Sequence, residues 1–476
     1  MPALSQETSE VIGISLLFWA VQVMGEKLQQ LKTGGFERRW SLAKASIVAG
    51  TRFATASAST MFSDEATREI KRRKSLAEQA EYLVGEMGKL KGSIVKIGQM
   101  MALYGEHFLP EEVTRAFHQL NDQTVALDWS VISKHIKQEL GDKRFNELVI
   151  DEEPLGAASL AQVHRARRKS DGTELVLKVQ YPGVADAIDS DLALVSQMMR
   201  LARVVPQTRE FEEWLEEVRS MMHREVNYPQ EMETTRLFHK YLAGDERYIV
   251  PKVYPEYSTP RILAMSYEHG VPINSNAIMS LSQERRNKLA YASMEICCRE
   301  MFEWGEMQTD PNFGNYLVRL GDGVNTPDKI ILLDFGAVRD FPEDLMTLAR
   351  ALTKASVLRQ REVLVSSMKG FGFFDEISQD TKQKLADLCL LAVEPFTELT
   401  DAPKDVLDEH GNYIWAKSNL HKRVLVQGAK SAATKEFSVP PKELMFISRK
   451  FIGAYTFMTV IDARIYAFDI IKPFLK

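Results

Sequence analysis

Between residues 83 and 101 the apolar side chains Leu83, Met87, Leu90, Ile94, Ile97 and Met101 recur at steps of four and three. That is the period of one buried helix face, and it predicts a helix over 85–105, GEMGKLKGSIVKIGQMMALYG. Gly85, Gly88, Gly92 and Gly98 stand inside it, each costing about 1 kcal/mol relative to alanine. Gly85, Gly88 and Gly92 form a second stripe whose spacing continues to Lys96 and Gln99. Read alone, the stripe means close packing against a neighbouring helix, with Lys96 reaching out to water.

The same periodicity makes residues 1–80 helical and continues through LPEEVTRAFHQL. A further helix opens at Asp128, where Asp128 and Ser130 precede an apolar-periodic run in the manner of an N-cap. At residue 150 the period shortens. VIDEEPLGAASLAQVHRARRKSDGTELVLKVQYP alternates short apolar runs around a turn at Asp171–Gly172, which predicts two or three antiparallel strands. Long helices follow over about 183–204 and 211–242, and Pro229 predicts a break or kink in the second. IVPKVYP and RILAMSY read as strands, and from Ser280 the pattern is mainly helical. A last strand pair is expected near Asn315–Val318 and Ile330–Leu333. An antiparallel sheet interrupted by helix and followed by a helical lobe is an α+β pattern rather than a βαβ one.

Composition adds exclusions. A chain of 476 residues has room for two or three domains, and a formal charge of -5 gives no reason to expect nucleic acid as a partner. The cysteines are Cys297, Cys298 and Cys389, without a CxxC pair, which points to a reducing compartment and no zinc site. The run Val11–Met24 is shorter than the roughly 20 residues of a spanning helix. Glu7 and Glu10, with no Lys or Arg before the run, argue against a secretory signal and a mitochondrial presequence. The segment either docks on the protein or lies in a membrane interface, helped by Lys27, Lys32, Arg38 and Arg39. The C-terminal run FMTVIDARIYAFDIIKPFL is broken by Asp462, Arg464 and Asp469, so no spanning helix is expected there.

Candidate chemistry comes in four pieces whose order is that of a kinase-type phosphotransferase. Gly156, Ala157, Ala158 and Ser159 lie between strand-like runs, and small residues let backbone N–H groups approach phosphates. This is not the GxGxxG of ordinary protein kinases. Lys178 is centred in the strand-like LVLKV, where a lysine either points to solvent from an edge strand or meets an anion. Asp310 and Asn315 in DPNFGN share the D-x-x-x-x-N spacing of a catalytic loop, although Asp–Pro–Asn also makes ordinary turns. Asp334 follows an apolar strand and precedes Phe–Gly, as an aspartate that ligates Mg²⁺ between nucleotide phosphates would. Any one of these occurs by chance. Their conjunction in this order points to a kinase-like site.

With KxGQ at Lys96–Gln99, GAAS, KVQYPGV from Lys178, DPNFGN and LDFG, the chain resembles the UbiB (AarF) family of atypical kinases over roughly residues 35–345. The resemblance implies a protein-kinase-like bilobal fold whose N-terminal helical extension crosses the substrate cleft, with ATP and Mg²⁺ as cofactors. It implies a role in isoprenoid quinone (ubiquinone) synthesis or lipid homeostasis at membranes, as an ATPase or small-molecule kinase or as a nucleotide-binding scaffold. Expected partners are ATP, a quinone-precursor or lipid ligand, a membrane surface and quinone-biosynthesis enzymes, at a cytoplasmic or peripheral cytoplasmic-face location. Carried over by position, Lys178 is the strand lysine, Glu231 its helix glutamate, Asp310 the catalytic aspartate, and Asn315 and Asp334 the metal ligands. Gly156–Ser159 cover the phosphates, while Lys96 and Gln99 form the cleft-covering pair with Glu225 as partner. The expected segments are 1–34 as an apolar anchor, 35–150 as the extension, 151–270 as the strand-rich lobe and 271–476 as the helical lobe and C-terminal helices.

The chain departs from the family pattern at three places. The second carboxylate of the ExD segment is Asn227, the alanine loop starts with Gly156, and QTDPN stands where GDPHP is more frequent. Glu225 and Glu231 lie in a charged run where, without the resemblance, each would read as solvent-facing.

Overall fold

The computed structural model describes residues 65–475, except 91, 105–108, 121–125, 202–203, 206–207, 324, 370–374, 376 and 433–441. The apolar segment Val11–Met24 therefore lies outside the described residues. These divide into two compact units, one reaching residue 233 and including 252–267, the other formed by 234–251 and 268 onward. The fold is α+β.

In the first unit the predicted glycine helix is two helices, α1 (Glu65–Leu90) and α2 (Ser93–Tyr104). Gly92 lies between them at φ +65°, a left-handed conformation that ends helices and that glycine adopts without a Cβ clash. The predicted buried face is real on both sides of the break: Leu83, Met87, Ile94, Ile97 and Met101 are all buried. The glycine stripe packs only in part: a Cβ on Gly85 would meet nothing within 4 Å, whereas one on Gly88 would touch Leu120 Cδ2 at 3.6 Å. Close approach falls instead at Gly98, where a Cβ would stand 2.2 Å from Leu120 Cδ1, with Phe117 of α3 (Glu111–Phe117) also in contact. Then comes α4 (Trp129–Asn146), capped as expected by Asp128, whose side chain accepts from Ser130 N–H at 2.9 Å.

The strand region forms one antiparallel sheet in the order β1 (Leu148–Ile150), β3 (Ala161–Arg168), β4 (Glu174–Gln180) and β6 (Ile262–Ser266), with β2 (Gly156–Ala157) paired to β3. β4 alternates: Leu175, Leu177 and Val179 are fully buried, while Val176 and Lys178 lie on the opposite face. Burying each of those aliphatic side chains contributes about 1.5–3 kcal/mol. Between β4 and β6 run α5 (Val184–Leu201), α6 (Arg209–Glu225) and α7 (Tyr228–Tyr241). The expected single helix over 211–242 is thus two. Asn227 Oδ1 accepts Gln230 N–H at 3.2 Å, an N-cap for α7, and Pro229 sits in its first turn, where a missing N–H costs nothing.

The second unit contains a sheet in the order β5 (Tyr248–Ile249), β10 (Lys329–Leu332), β9 (Tyr316–Arg319) and β7 (Val271–Pro272). The expected strand pair is there, shifted by about one residue. β8 (Glu306–Gln308) and β11 (Val338–Asp340) pair antiparallel beside it. Around them lie α8 (Asn276–Met279), α9 (Gln283–Arg299), α10 (Glu343–Val357), α11 (Arg361–Ser367), α12 (Gln379–Ala392), α13 (Trp415–Ser418), α14 (Leu420–Ala432) and α15 (Lys442–Val460). α9 runs on into a π-helical turn, Glu300–Trp304, which stops at Gly305 with φ +69°. Its core includes Trp415, Leu420, Tyr455, Met458 and Ile461.

Candidate functional site

Lys178 occupies an interior strand, opposite Val163 of β3 and Leu263 of β6. The edge-strand reading is therefore excluded. Its face of the sheet is covered by the start of α7, where Tyr228 packs with Val253, Leu263 and Met265. There Lys178 Nζ donates to Glu231 Oε1 at 2.7 Å and Oε2 at 3.0 Å and lies 5.3 Å from the Tyr228 ring centre. Glu231 is buried, so its charge needs this partner. The helix break at Asn227 is what aims it: the cap starts α7 just before Tyr228 and Glu231. Gly156 pairs with Val163, which itself pairs with Lys178, so the first residue of GAAS shares a cross-strand row with the lysine. A Cβ on Gly156 would meet nothing within 4 Å. Ala157 completes β2, while Ala158 and Ser159 form the bend into β3, Ala158 N–H donating to Ala161 O at 2.7 Å.

Lys96 on α2 donates to Glu225 Oε1 at the end of α6. One turn earlier Ser93 Oγ donates to the Asp191 carboxylate on α5, with both residues buried. These two contacts fix the start of α2 against α5 and α6. Gln99 lies on the same helix, one turn beyond Lys96.

In the second unit Asp310 and Asn315 meet directly: Asn315 Nδ2 donates to Asp310 Oδ2 at 3.0 Å. Asn315 O accepts Leu333 N–H at 2.9 Å, which brings the residue before Asp334 alongside. Asp334 Oδ1 accepts Gly336 N–H at 2.9 Å, a turn that fixes the carboxylate over Phe335–Gly336. A residue that sequence reasoning missed joins these pieces. Gln308, buried, donates from Nε2 to Asp334 O at 2.6 Å and accepts Asp310 N–H on Oε1 at 3.2 Å. The signal was the Gln two positions before Asp310, which the sequence reading noted only as a departure. Thr309 adds a second tie, its Oγ1 donating to Ala337 O at 2.8 Å.

The donors suit a hard divalent cation. Asp334 offers a carboxylate and Asn315 an amide oxygen, which lies opposite the Nδ2 already committed to Asp310, and such oxygen sets are what Mg²⁺ selects. Among the described residues no group of three or more His, Cys, Asp or Glu side chains could hold a metal.

His164, on β3, has a structural role. It is buried, with Nε2 2.8 Å from Gln162 Nε2 and Nδ1 2.8 Å from Asp151 O, and its ring lies against Trp129. Behind the Asp310 loop a second buried pair was also missed: Lys450 of α15 donates to Glu300 in the π turn at 2.8 Å. Burial pushes the Glu300 carboxyl above its ordinary value; at Lys450 burial acts to lower the ammonium's value, but the interactions with Glu300, Tyr316 and Cys297 together outweigh it and hold it charged.

Residues 119–368, just over half of the chain, match the family model described as the ABC1 atypical kinase-like domain. Among curated proteins the chain is similar to atypical kinase COQ8B, mitochondrial, of Danio rerio, at 33% identity over 56% of this chain and 41% of that protein. It is 29% identical to atypical kinase COQ8, mitochondrial, of Schizosaccharomyces pombe over 83% of this chain and 62% of that protein. The corresponding protein of Saccharomyces cerevisiae is 29% identical over 82% of this chain and 75% of its own length. The chain thus spans less than two thirds of the first two relatives. Among solved structures, the Rv3197–erythromycin complex from Mycobacterium tuberculosis superimposes with a TM-score of 0.55 at 20% identity, over 86% of this chain and 97% of that one. That likeness shows the fold.

Proposed function

The chain belongs to the ABC1 atypical kinase-like family, the UbiB (AarF) group, and on that premise we propose that it binds Mg-ATP and transfers or hydrolyses its terminal phosphoryl group. The observation that supports this most is the pairing of Lys178 with the buried Glu231, which a packed sheet would not otherwise keep. Lys178, oriented by Glu231, neutralises nucleotide phosphates, and the β2 turn at Gly156–Ser159 offers backbone N–H groups beside them. Asn315 and Asp334 would hold the metal. Bound there, Mg²⁺ would offset charge on the phosphate oxygens. Asp310, oriented by Asn315, accepts the proton of an attacking water or hydroxyl. Gln308 keeps the Asp310 and Asp334 segments in one register through its two hydrogen bonds.

Lys96, Gln99 and Glu225 act in this reading as a cover that restricts which acceptor enters, which favours water or a small molecule over a protein. Quinone or lipid metabolism at a membrane surface is the proposed setting, supported by the likeness to the COQ8 relatives. Among the described residues no helix is long and apolar enough to cross a membrane. Peripheral attachment through residues 1–25 is tested by deleting them and measuring release from liposomes.

A scaffold without turnover is the reading that Asn227, an amide where the family pattern has a carboxylate, favours. Yet the Asn227 side-chain oxygen caps α7, a task that amide and carboxylate perform equally well. The deciding experiment measures Mg²⁺-dependent ATP turnover of wild type and Asp334→Asn. Loss of turnover in the variant supports the assignment, and unchanged turnover overturns it. ATP-dependent thermal stabilisation with no product from the wild type would instead favour the scaffold.

A further inference from the structure

α15 lies more than a hundred residues beyond the Asp310 loop, in a region without recognisable motifs. Yet one of its faces meets the Asp310 loop and the segments on either side of it. Phe446, Arg449, Lys450, Gly453 and Phe457 recur at helical spacing. Arg339, on the strand after Asp334, places its guanidinium carbon 3.8 Å from the Phe446 ring centre. Lys450 makes the buried pair with Glu300. At Gly453 the helix backbone approaches Pro311 so closely that a Cβ would stand 2.2 Å from Pro311 Cβ. Phe457 meets Phe313 edge-on, their ring centres 6.0 Å apart. Between these contacts Arg449 Nη2 stands 3.8 Å from Asp310 Oδ1.

We infer that Arg449 is a positioning residue for Asp310, and that α15 is the support against which the catalytic loop is held; this rests on the phosphotransfer reading above. The two oxygens of Asp310 have separate partners, Oδ2 with Asn315 at hydrogen-bond distance and Oδ1 with Arg449 at ion-pair distance. A guanidinium at 3.8 Å orients the carboxylate through its field and leaves that oxygen's acceptor directions open for a proton. Such a hold has a purpose here, because the loop's backing is tight at Pro311–Gly453 but incomplete beside it. A cavity of about 50 Å³ lies beneath it, lined by Pro311, Phe313, Tyr316, Gly453, Ala454 and Phe457 among others. Arg449 and Asn315 each hold one oxygen of the functional carboxylate.

The test combines steady-state ATP turnover with hydrogen exchange of residues 308–316, using the full chain. Arg449→Ala should lower kcat roughly 10- to 100-fold while the KM for ATP moves less than about threefold, because the nucleotide-binding groups are elsewhere. Arg449→Lys should recover turnover to within about threefold of wild type, which a merely structural contact would not require. In the Asp310→Asn background Arg449→Ala should cost little more, since its target is already gone. Exchange in 308–316 should quicken in Arg449→Ala and revert in Arg449→Lys. Unchanged exchange, kcat within twofold of wild type, or full additivity with Asp310→Asn would each overturn the inference. If the wild type shows no turnover, the ATPase reading fails by itself and loop exchange alone decides the role of Arg449. Should Arg449→Ala fail to fold, Arg449→Gln carries the same readouts.

Discussion

Lys178 reaches both oxygens of Glu231, at 2.7 and 3.0 Å, from a strand with neighbours on either side. Glu231 is buried, while Lys178 keeps part of its side chain exposed. Removing the lysine leaves the glutamate charge buried without this partner. Lys178→Met should therefore destabilise the first unit by about 3 kcal/mol, toward the low end for a broken buried pair because the lysine keeps some exposure. The double variant Lys178→Met/Glu231→Leu should regain most of that stability while still failing to bind Mg-ATP. Urea unfolding and titration calorimetry separate the two effects.

The glycines of α1 and α2 make opposite predictions. Gly85→Ala should stabilise by up to about 1 kcal/mol, since its Cβ enters open space in a helix. Gly98→Ala should destabilise by roughly 1–3 kcal/mol, because Leu120, Met87 and Phe117 already fill the space. Thermal melts of the two variants should shift in opposite directions.

The two ties of α2 should differ in strength and salt response. Lys96 and Glu225 keep side-chain exposures of 23% and 38%, so Lys96→Ala should cost less than about 1 kcal/mol and less still in high salt. Ser93→Ala leaves the Asp191 carboxylate buried without its hydroxyl donor and should cost about 1–3 kcal/mol at any salt concentration. Denaturant midpoints measured at low and high ionic strength check both.

Acid should weaken the second unit through Asp328. Burial pushes its carboxyl up, but hydrogen bonds from Arg285 and from Gly321 N–H outweigh burial and hold it below the ordinary carboxylate range. A depressed native value means that stability is present above the ordinary value near pH 4 and is lost as pH falls through the native one. Asp328→Asn should be less stable than wild type by roughly 1.5–3 kcal/mol at pH 7, and the gap should close below about pH 4. Unfolding curves across that range decide it.

The sequence reading found what depends on local pattern. The period change near residue 150, the Asp128 cap, the Asp171–Gly172 turn and the strand pair around β9 and β10 all follow from spacing and turn chemistry. It merged α1 with α2 because a 3/4 apolar face persists across Gly92, and periodicity alone does not register one positive φ. Pro229 was legible as a break, but the cap at Asn227 that turns the break into a new helix was not. Gln308, Glu300, Arg449 and Lys450 were invisible for a different reason. A buried glutamine looks like any polar loop residue, and a lysine on an apolar helix looks solvent-facing until its partner, 150 positions away in sequence, is placed beside it.

The seating of Pro311 against Gly453 also sets an order on synthesis. Pro311 leaves the ribosome long before Phe446, Lys450 and Gly453 exist to receive it, and the family-matched segment ends earlier still, at residue 368. The nascent Asp310 loop therefore waits unbacked, with Glu300 lacking its lysine. A premature stop between Asp334 and Phe446, or a fragment trimmed to the matched segment, keeps Lys178, Glu231, Asp310, Asn315 and Asp334 yet lacks the helix that supports the loop. Such a product should be inert rather than unregulated, so truncating lesions in this chain are expected to behave as simple losses.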